Sequence, residues 1–362
     1  MTRGLPPDRC ENCGYAQKYS KQERGERPAF CRNHGAWLCA GCRDGIMGCT
    51  AAGHRIDAIA PRVDVTGIPP NDGIYSNIAD DVYHADLTSL SSSGARALLA
   101  GTPEEFDFAR RTPADPNKNY DFGHAAHKMV LGIGSRLALL DPKVCGHTKD
   151  GKIAANPAST SEWKAAAAAA RKRGQLPIAK WDMEKAQTMA GRVFQHPIAS
   201  RLLSRGAAEH SIYWHDDATG VRRRIRPDFL PETNRRPLCI DYKTAKSANP
   251  EQFQRAVVDY GYHCQQAFYE DGLAELGLVD VGFLFVVQAK DAPYTVSVCQ
   301  IDPEVVELGR RQNRMALEIF ARCQESGEWP GYDGIHTVGM AGWARKQAEE
   351  TIEAFYQSQQ PL

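Results

Sequence analysis

Apolar positions change period several times along the chain. SLSSSGARALLA (89–100) has helical spacing behind serines suited to capping, and YDFGHAAHKMVLG (120–132) reads as a second, apolar helix. SEWKAAAAAARKRG and AKWDMEKAQTMAGRVF predict two more. The period then shortens to two: HSIYWHD (210–216), GVRRRIRPDFL (220–230) and RPLCIDYKT (236–244) read as strands. A long helix is expected from about Pro250 to Gly272. GFLFVVQAK and YTVSVCQID follow as strands, and PEVVELGRRQNRMALEIFARCQ closes as a helix. Helices, a strand meander, then helix–strand–strand–helix predict an α/β domain with a central mixed sheet flanked by helices. This domain is expected to span residues 73–355. Residues 1–60 show little such periodicity, 61–72 (PRVDVTGIPPND) read as a Pro-rich linker, and 356–362 as a polar tail.

Charged residues interrupt two of these strands. In RPLCIDYKT, alternation puts Leu238, Ile240 and Tyr242 on one face and Cys239, Asp241 and Lys243 on the other. In VRRRIRPDF, Asp228 shares a face with Arg222, Arg224 and Arg226. If the two strands pair as a hairpin, both carboxylates and the lysine meet at one point. Two carboxylates so placed repel unless a cation lies between them, and hard oxygen donors favour Mg²⁺ or Mn²⁺ over zinc. The lysine could position or deprotonate an attacking water, or steady charge on a phosphate. The alternative is a plain hairpin with a surface ion pair.

The chain has 362 residues and 11 cysteines, and its 44 basic residues balance 44 acidic ones, so any nucleic-acid surface must be local. The N-terminus lacks an apolar export segment and no stretch reaches membrane-spanning length, which predicts a cytoplasmic protein. Cys10-x2-Cys13, Cys31-x2-His34, Cys39-x2-Cys42 and Cys49-x4-His54 make four ligand pairs, the count for two tetrahedral Zn²⁺ ions. So small a head should need its metal to fold. The five other cysteines read as buried apolar residues.

Pro227-Asp228 followed by Asp241-Tyr242-Lys243 resembles the PD-(D/E)XK nuclease signature. Gly123-His124-Ala125-Ala126-His127 is similar to that group's G-x-x-x-H element, and Gln265-Gln266-Ala267-Phe268-Tyr269 to its Q-x-x-x-Y element. YHADLTSLSSSGARALL, AEHSIYW, RPDFLP, DYKTA and YGYHCQQAFYEDG resemble the RecE (exonuclease VIII) branch of phages and prophages, from about residue 73 to 345.

The resemblance implies a restriction-endonuclease-like core that hydrolyses phosphodiesters with one or two Mg²⁺ ions. It implies that Asp228, Asp241, His127 and the Tyr242 backbone carbonyl hold metal, that Lys243 acts on the water, and that Gln265 and Tyr269 contact DNA near the scissile phosphate. It further implies a homo-oligomeric exonuclease in a bacterial host, degrading one strand of linear duplex DNA from the 5′ end. The 3′ tail would then serve a single-strand annealing recombinase. A single-strand or flap nuclease, or a catalytically silent DNA-end or protein-binding scaffold, are the alternatives.

Several neighbours have competing readings. Arg224 and Arg226 suit phosphate positioning or a surface arginine ladder. Glu209 reads as a solvated strand-start acid, with assistance to metal or DNA as the other possibility. His124 is expected to support or pack beside His127, Gln266 competes with Gln265, and the RKR at 171–173 reads as a solvated helix end, with contact to DNA as the other possibility. The head resembles a cross-braced, B-box-like finger, which implies Cys10, Cys13, Cys39 and Cys42 on one zinc and Cys31, His34, Cys49 and His54 on the other. Sequential pairing stays open.

Overall fold

The computed structural model describes residues 67–112, 118–233 and 236–358, with side chains from 121 in the second stretch. It also gives the backbone of a short antiparallel pair, β1 (Ala29–Cys31) with β2 (Ala36–Leu38). The eight zinc-ligand assignments otherwise lie outside the described residues.

Strands follow as β3 (Gly73–Tyr75), β4 (Leu90–Ser91), β5 (Arg136–Leu140), β6 (Gln175–Ala179), β7 (Gly206–Ala208), β8 (Ser211–His215), β9 (Arg222–Ile225), β10 (Phe229–Pro231), β11 (Leu238–Ala245), β12 (Gly282–Ala289) and β13 (Val296–Cys299). The longer helices are α1 (Ser92–Ala100), α2 (Pro103–Arg111), α3 (Lys118–Leu131), α4 (Ser161–Lys172), α5 (Lys180–Gln195), α6 (Pro250–Asp259), α7 (Tyr262–Glu275), α8 (Pro303–Ser326) and α9 (Gly342–Ser358). Side-chain caps begin several where the sequence offers them: Ser91 Oγ accepts from Gly94 at α1, Thr102 completes a capping box with Glu105 at α2, and Asp302 caps α8.

Two larger sheets, rather than one, organise the domain, with β5 and β6 forming a separate parallel pair. The larger is mixed, in the order β13-β12-β11-β10-β7, with β11 and β12 parallel and the other neighbours antiparallel. The second has the order β3-β8-β9-β4. The expected single strand over 220–230 divides between them. β9 pairs with β8, the chain leaves that ladder at Arg226-Pro227-Asp228, and β10 enters the larger sheet. Pro227 has no N–H to donate, so a sheet ladder is readily interrupted there.

β11 has the alternation expected of it. Cys239 packs with Phe283, Phe285 and Val287 in one apolar cluster, while Ile240 and Tyr242 pack with Val286 in another on the opposite face. The expected long helix is two helices. Gly261, at φ +62, turns the chain between α6 and α7 in the left-handed region that glycine adopts without a Cβ clash. α7 buries side chains around most of its circumference, between the two sheets and α8. At Gly272 a Cβ would stand 2.6 Å from Trp214 and 2.8 Å from Ile225, so glycine permits this close seating on β8 and β9.

β9 is the least apolar strand in the core, and aromatic rings explain how it is buried. Arg222 lies over Tyr213 at 4.8 Å, Arg223 over Phe268 at 4.1 Å and Trp214 at 4.6 Å, and Arg224 over Tyr83 at 5.1 Å. Of the five cysteines after the head, Cys145, Cys239, Cys264 and Cys323 are buried and Cys299 is half-buried, all as free thiols. Among the described residues no helix is long and apolar enough to cross a membrane.

Candidate active site

The interruption between the sheets places the first carboxylate. Asp228 follows Pro227 just before β10, which makes a single rung with β11, Phe229 opposite Ile240. Beyond that rung the Asp228 carboxylate replaces the missing backbone acceptor: Oδ2 accepts from Tyr242 N–H at 2.7 Å. Asp241, one residue earlier in β11, is 1% exposed, with Phe285 of β12 as its register partner. Its Oδ1 accepts from Gln265 Nε2 at 2.6 Å, and its Oδ2 pairs with Lys243 Nζ at 2.6 Å. The Lys243 ammonium also sits 4.9 Å from the Tyr262 ring centroid.

α3 brings His127 to the same point, with Nδ1 3.5 Å from Asp228 Oδ2 and its ring edge-on to Tyr242, centroids 5.0 Å apart. Glu209 arrives from the β7–β8 turn at φ +56, an uncommon conformation for a glutamate, with its N–H donating to Asp228 O at 3.3 Å. Ligand atoms of His127, Glu209 and Asp228 all lie within 4.8 Å of one another. Glu209 is thus no solvated strand-start acid. No motif marks it, and its approach depends on that left-handed backbone.

The site is short of positive charge. Burial pushes Asp228 well above the usual carboxylate range, and Asp241 and Glu209 add to the rise against Lys243. Glu209 is pushed up to about 7, by burial first and then by Asp80 and Asp241, against the opposing pull of Arg226. His127 is lowered to about 4 by burial and the nearby Lys243, so its imidazole is neutral at pH 7 and has a lone pair to offer. Burial disfavours the Lys243 charge, but Asp241 and Asp228 outweigh it and raise the pKa; the lysine is an ammonium ion. A cluster of carboxylates with one neutral imidazole fits a hard divalent cation, which would offset the burial and the mutual repulsion that raise Asp228 and Glu209.

The remaining expected residues are divided. Gln265 reaches the site through Asp241, whereas Gln266 donates to Glu270 at 2.9 Å. Tyr269 Oη donates to Arg226 O at 3.1 Å, fastening α7 to the joint between the sheets. His124 is exposed on α3. Arg224 and Arg226 correct an expectation, because both are buried and their donors serve the protein itself. Arg224 donates to Ser89, within reach of Asp86 at 3.6 Å; Arg226 donates to Ser211 Oγ at 2.9 Å, Ile78 O at 3.0 Å and Asp80 Oδ1 at 2.7 Å. With the break at Pro227 they belong to the second sheet's packing, so a face shared in sequence is not a face shared around a phosphate.

A mixed sheet carrying an Asp, then Asp-x-Lys on the next strand, between a histidine helix and a glutamine helix, defines the PD-(D/E)XK-like class. Residues 113–337 match the family described as a PDDEXK-like domain of unknown function (DUF3799), and the chain belongs to it. Among solved structures it is similar to a presumptive exonuclease from Eubacterium rectale. Identity is 12% and the TM-score 0.49, over 74% of this chain and 97% of that one. No curated protein matches the sequence.

Proposed function

We propose that this protein is a Mg²⁺- or Mn²⁺-dependent nuclease that hydrolyses phosphodiester bonds at the ends of linear duplex DNA. The observation that carries the reading is the meeting of Asp228, Asp241 and Lys243 with His127 and Glu209 at one half-buried point. Asp228, Asp241, Glu209, His127 and the Tyr242 carbonyl would hold the cation. The cation would supply Lewis-acid stabilisation of phosphate charge and ease deprotonation of water. Lys243, cationic beside Asp241, is suited to steadying charge that develops on the phosphate. Gln265 orients Asp241 by donating to it, and Tyr269 holds the Arg226–Asp228 joint in register.

Attack at DNA ends, 5′-to-3′ polarity, a homo-oligomeric assembly and a recombinase that uses the 3′ tail are supported by the ordered likeness to RecE-like motifs. The zinc head is supported by its four ligand pairs. Nucleotide release from 5′- and 3′-labelled linear duplexes, with and without Mg²⁺, tests the reading, with a closed circular duplex and Lys243→Ala protein alongside. The expected result is Mg²⁺-dependent release from the linear DNA alone, lost in the variant. Cutting of the closed circle would replace exonuclease by endonuclease, and no cleavage by the folded wild type would put the scaffold reading in its place.

A further inference from the structure

Charge is unevenly distributed over the neutral chain. Residues 121–195 contain twelve Lys and Arg against six Asp and Glu, a net +6; eight of the basic and four of the acidic residues lie within α3, β5, α4, β6 and α5, and the rest on the segments that join them. β5 and β6 are parallel, so both strands begin at the same end, with Arg136 opposite Gln175. The α4 C-terminus delivers Arg171, Lys172 and Arg173 to that same end. Arg173 Nε donates to Gln175 Oε1 at 3.0 Å, which places its guanidinium beside the start of β6.

This end of the unit leads to the candidate active site by two routes. Arg171 pairs with Asp121 at 2.7 Å, and Asp121, His124 and His127 follow one another at three-residue spacing along one side of α3. Six residues of helix rise about 9 Å, close to three nucleotide steps of one DNA strand at ~3.4 Å each. The second route begins next to Arg136: Ser135 Oγ donates to Asp80 at 2.7 Å, and Asp80 is among the charges acting on Glu209.

We propose that Arg136, Lys172 and Arg173 grip the phosphate backbone of duplex DNA a few nucleotides from the scissile bond. The proposal rests on the nuclease reading and adds the surface by which the substrate approaches. All three side chains are exposed. Among the described residues Arg136 and Lys172 have no carboxylate partner, and Arg173 meets only a neutral amide. They are therefore open to phosphate, unlike the arginines of β9. Arg171 serves differently, fastening α4 to α3 so that the three free cations keep their place relative to His127.

The test is binding of a labelled linear duplex by the full chain as a function of salt. An Asp241→Asn background with Mg²⁺ present slows cleavage enough for binding to be read on intact duplex. Combined Arg136→Ala, Lys172→Ala and Arg173→Ala should weaken binding by roughly tenfold or more at low salt. The log–log salt slope should fall by about 3, near 0.9 for each phosphate that is no longer neutralised. A charge-matched control, Arg322→Ala with Arg345→Ala and Lys346→Ala, should leave both unchanged. Equal losses in the two triple variants, or an unchanged slope in the first, would overturn the grip, as would preferential binding of duplex RNA through the same three residues. Cleavage by the unaltered chain is read in parallel. Wild type that cleaves while the first triple variant keeps its affinity overturns the grip alone; wild type that neither binds nor cleaves overturns the nuclease reading beneath it.

Discussion

Tyr242 N–H donates to Asp228 Oδ2 at 2.7 Å, so a side chain completes a ladder that the backbone abandons at Pro227. The bond fixes the carboxylate between His127 and the Tyr242 backbone, while Gln265 and Lys243 fix Asp241 beside it. Replacing either aspartate should therefore disturb local geometry as well as charge. Asp241→Asn and Lys243→Ala should each lower Mg²⁺-dependent hydrolysis by on the order of 10²–10³-fold. Circular dichroism should show the fold retained. Hydrolysis by Asp241→Asn at the wild-type rate would remove this site from consideration.

Glu209→Gln tests the residue that no motif marks. It leaves size and backbone preference nearly unchanged but deletes one carboxylate from the donor set. Half-saturation by Mg²⁺, followed through the metal-induced rise in Tm, should move up about tenfold or more. An unchanged titration would make Glu209 a spectator at the edge of the cluster.

Tyr242 also contributes through its ring. Its Oη donates to Gln288 Oε1 at 2.5 Å, and Gln288 Nε2 donates to Met189 O at 2.9 Å, joining β11 through β12 to α5. Tyr242→Phe leaves the fully buried Gln288 oxygen without its donor, at a cost of about 1–3 kcal/mol. Urea unfolding measures this directly, and a loss below about 0.5 kcal/mol would show the network relaxing around the change.

Away from the site, a pH dependence is expected at Asp216. Burial acts to raise its pKa, but hydrogen bonds from Arg314 and Thr219, with the charges of Arg314 and Arg223, hold it below the usual carboxylate range. A depressed folded-state pKa contributes stability above the unfolded value, lost as pH falls through the folded one. Asp216→Asn should thus cost about 3 kcal/mol at pH 7. The gap to wild type should narrow as pH drops below about 4, the ordinary aspartate value. Denaturation midpoints of the pair from pH 7 to pH 3 would show it; a gap independent of pH would mean the contribution is not electrostatic.

The residues whose positions were legible in advance are those governed by short-range periodicity. Alternation along 238–243 by itself separates Asp241 from Tyr242, and four-residue spacing puts Gln265 and Tyr269 on the side of α7 that reaches Asp241 and Arg226. What was not legible depends on events between elements. Arg224 and Arg226 share an open face with Asp228 only if the strand continues through Pro227, and the sheet change there buries them against Tyr83, Ser89 and Asp80. Gly261 divides a helix whose apolar spacing looks continuous. Glu209 reaches its place by one unusual φ angle, which no pattern of residue types encodes.

The position of Asp228 in the passage between sheets has a thermodynamic corollary. Asp241 is embedded in the five-stranded sheet, whereas Asp228 lies where the chain crosses over from the four-stranded one. Any cation shared by the two carboxylates is also a rivet between layers, and coupling of this kind is reciprocal. Ion affinity and the docking of the layers must rise and fall together, so a methyl group removed from Ile212 or Ile225, deep in the four-stranded sheet, would be felt as a weaker ion.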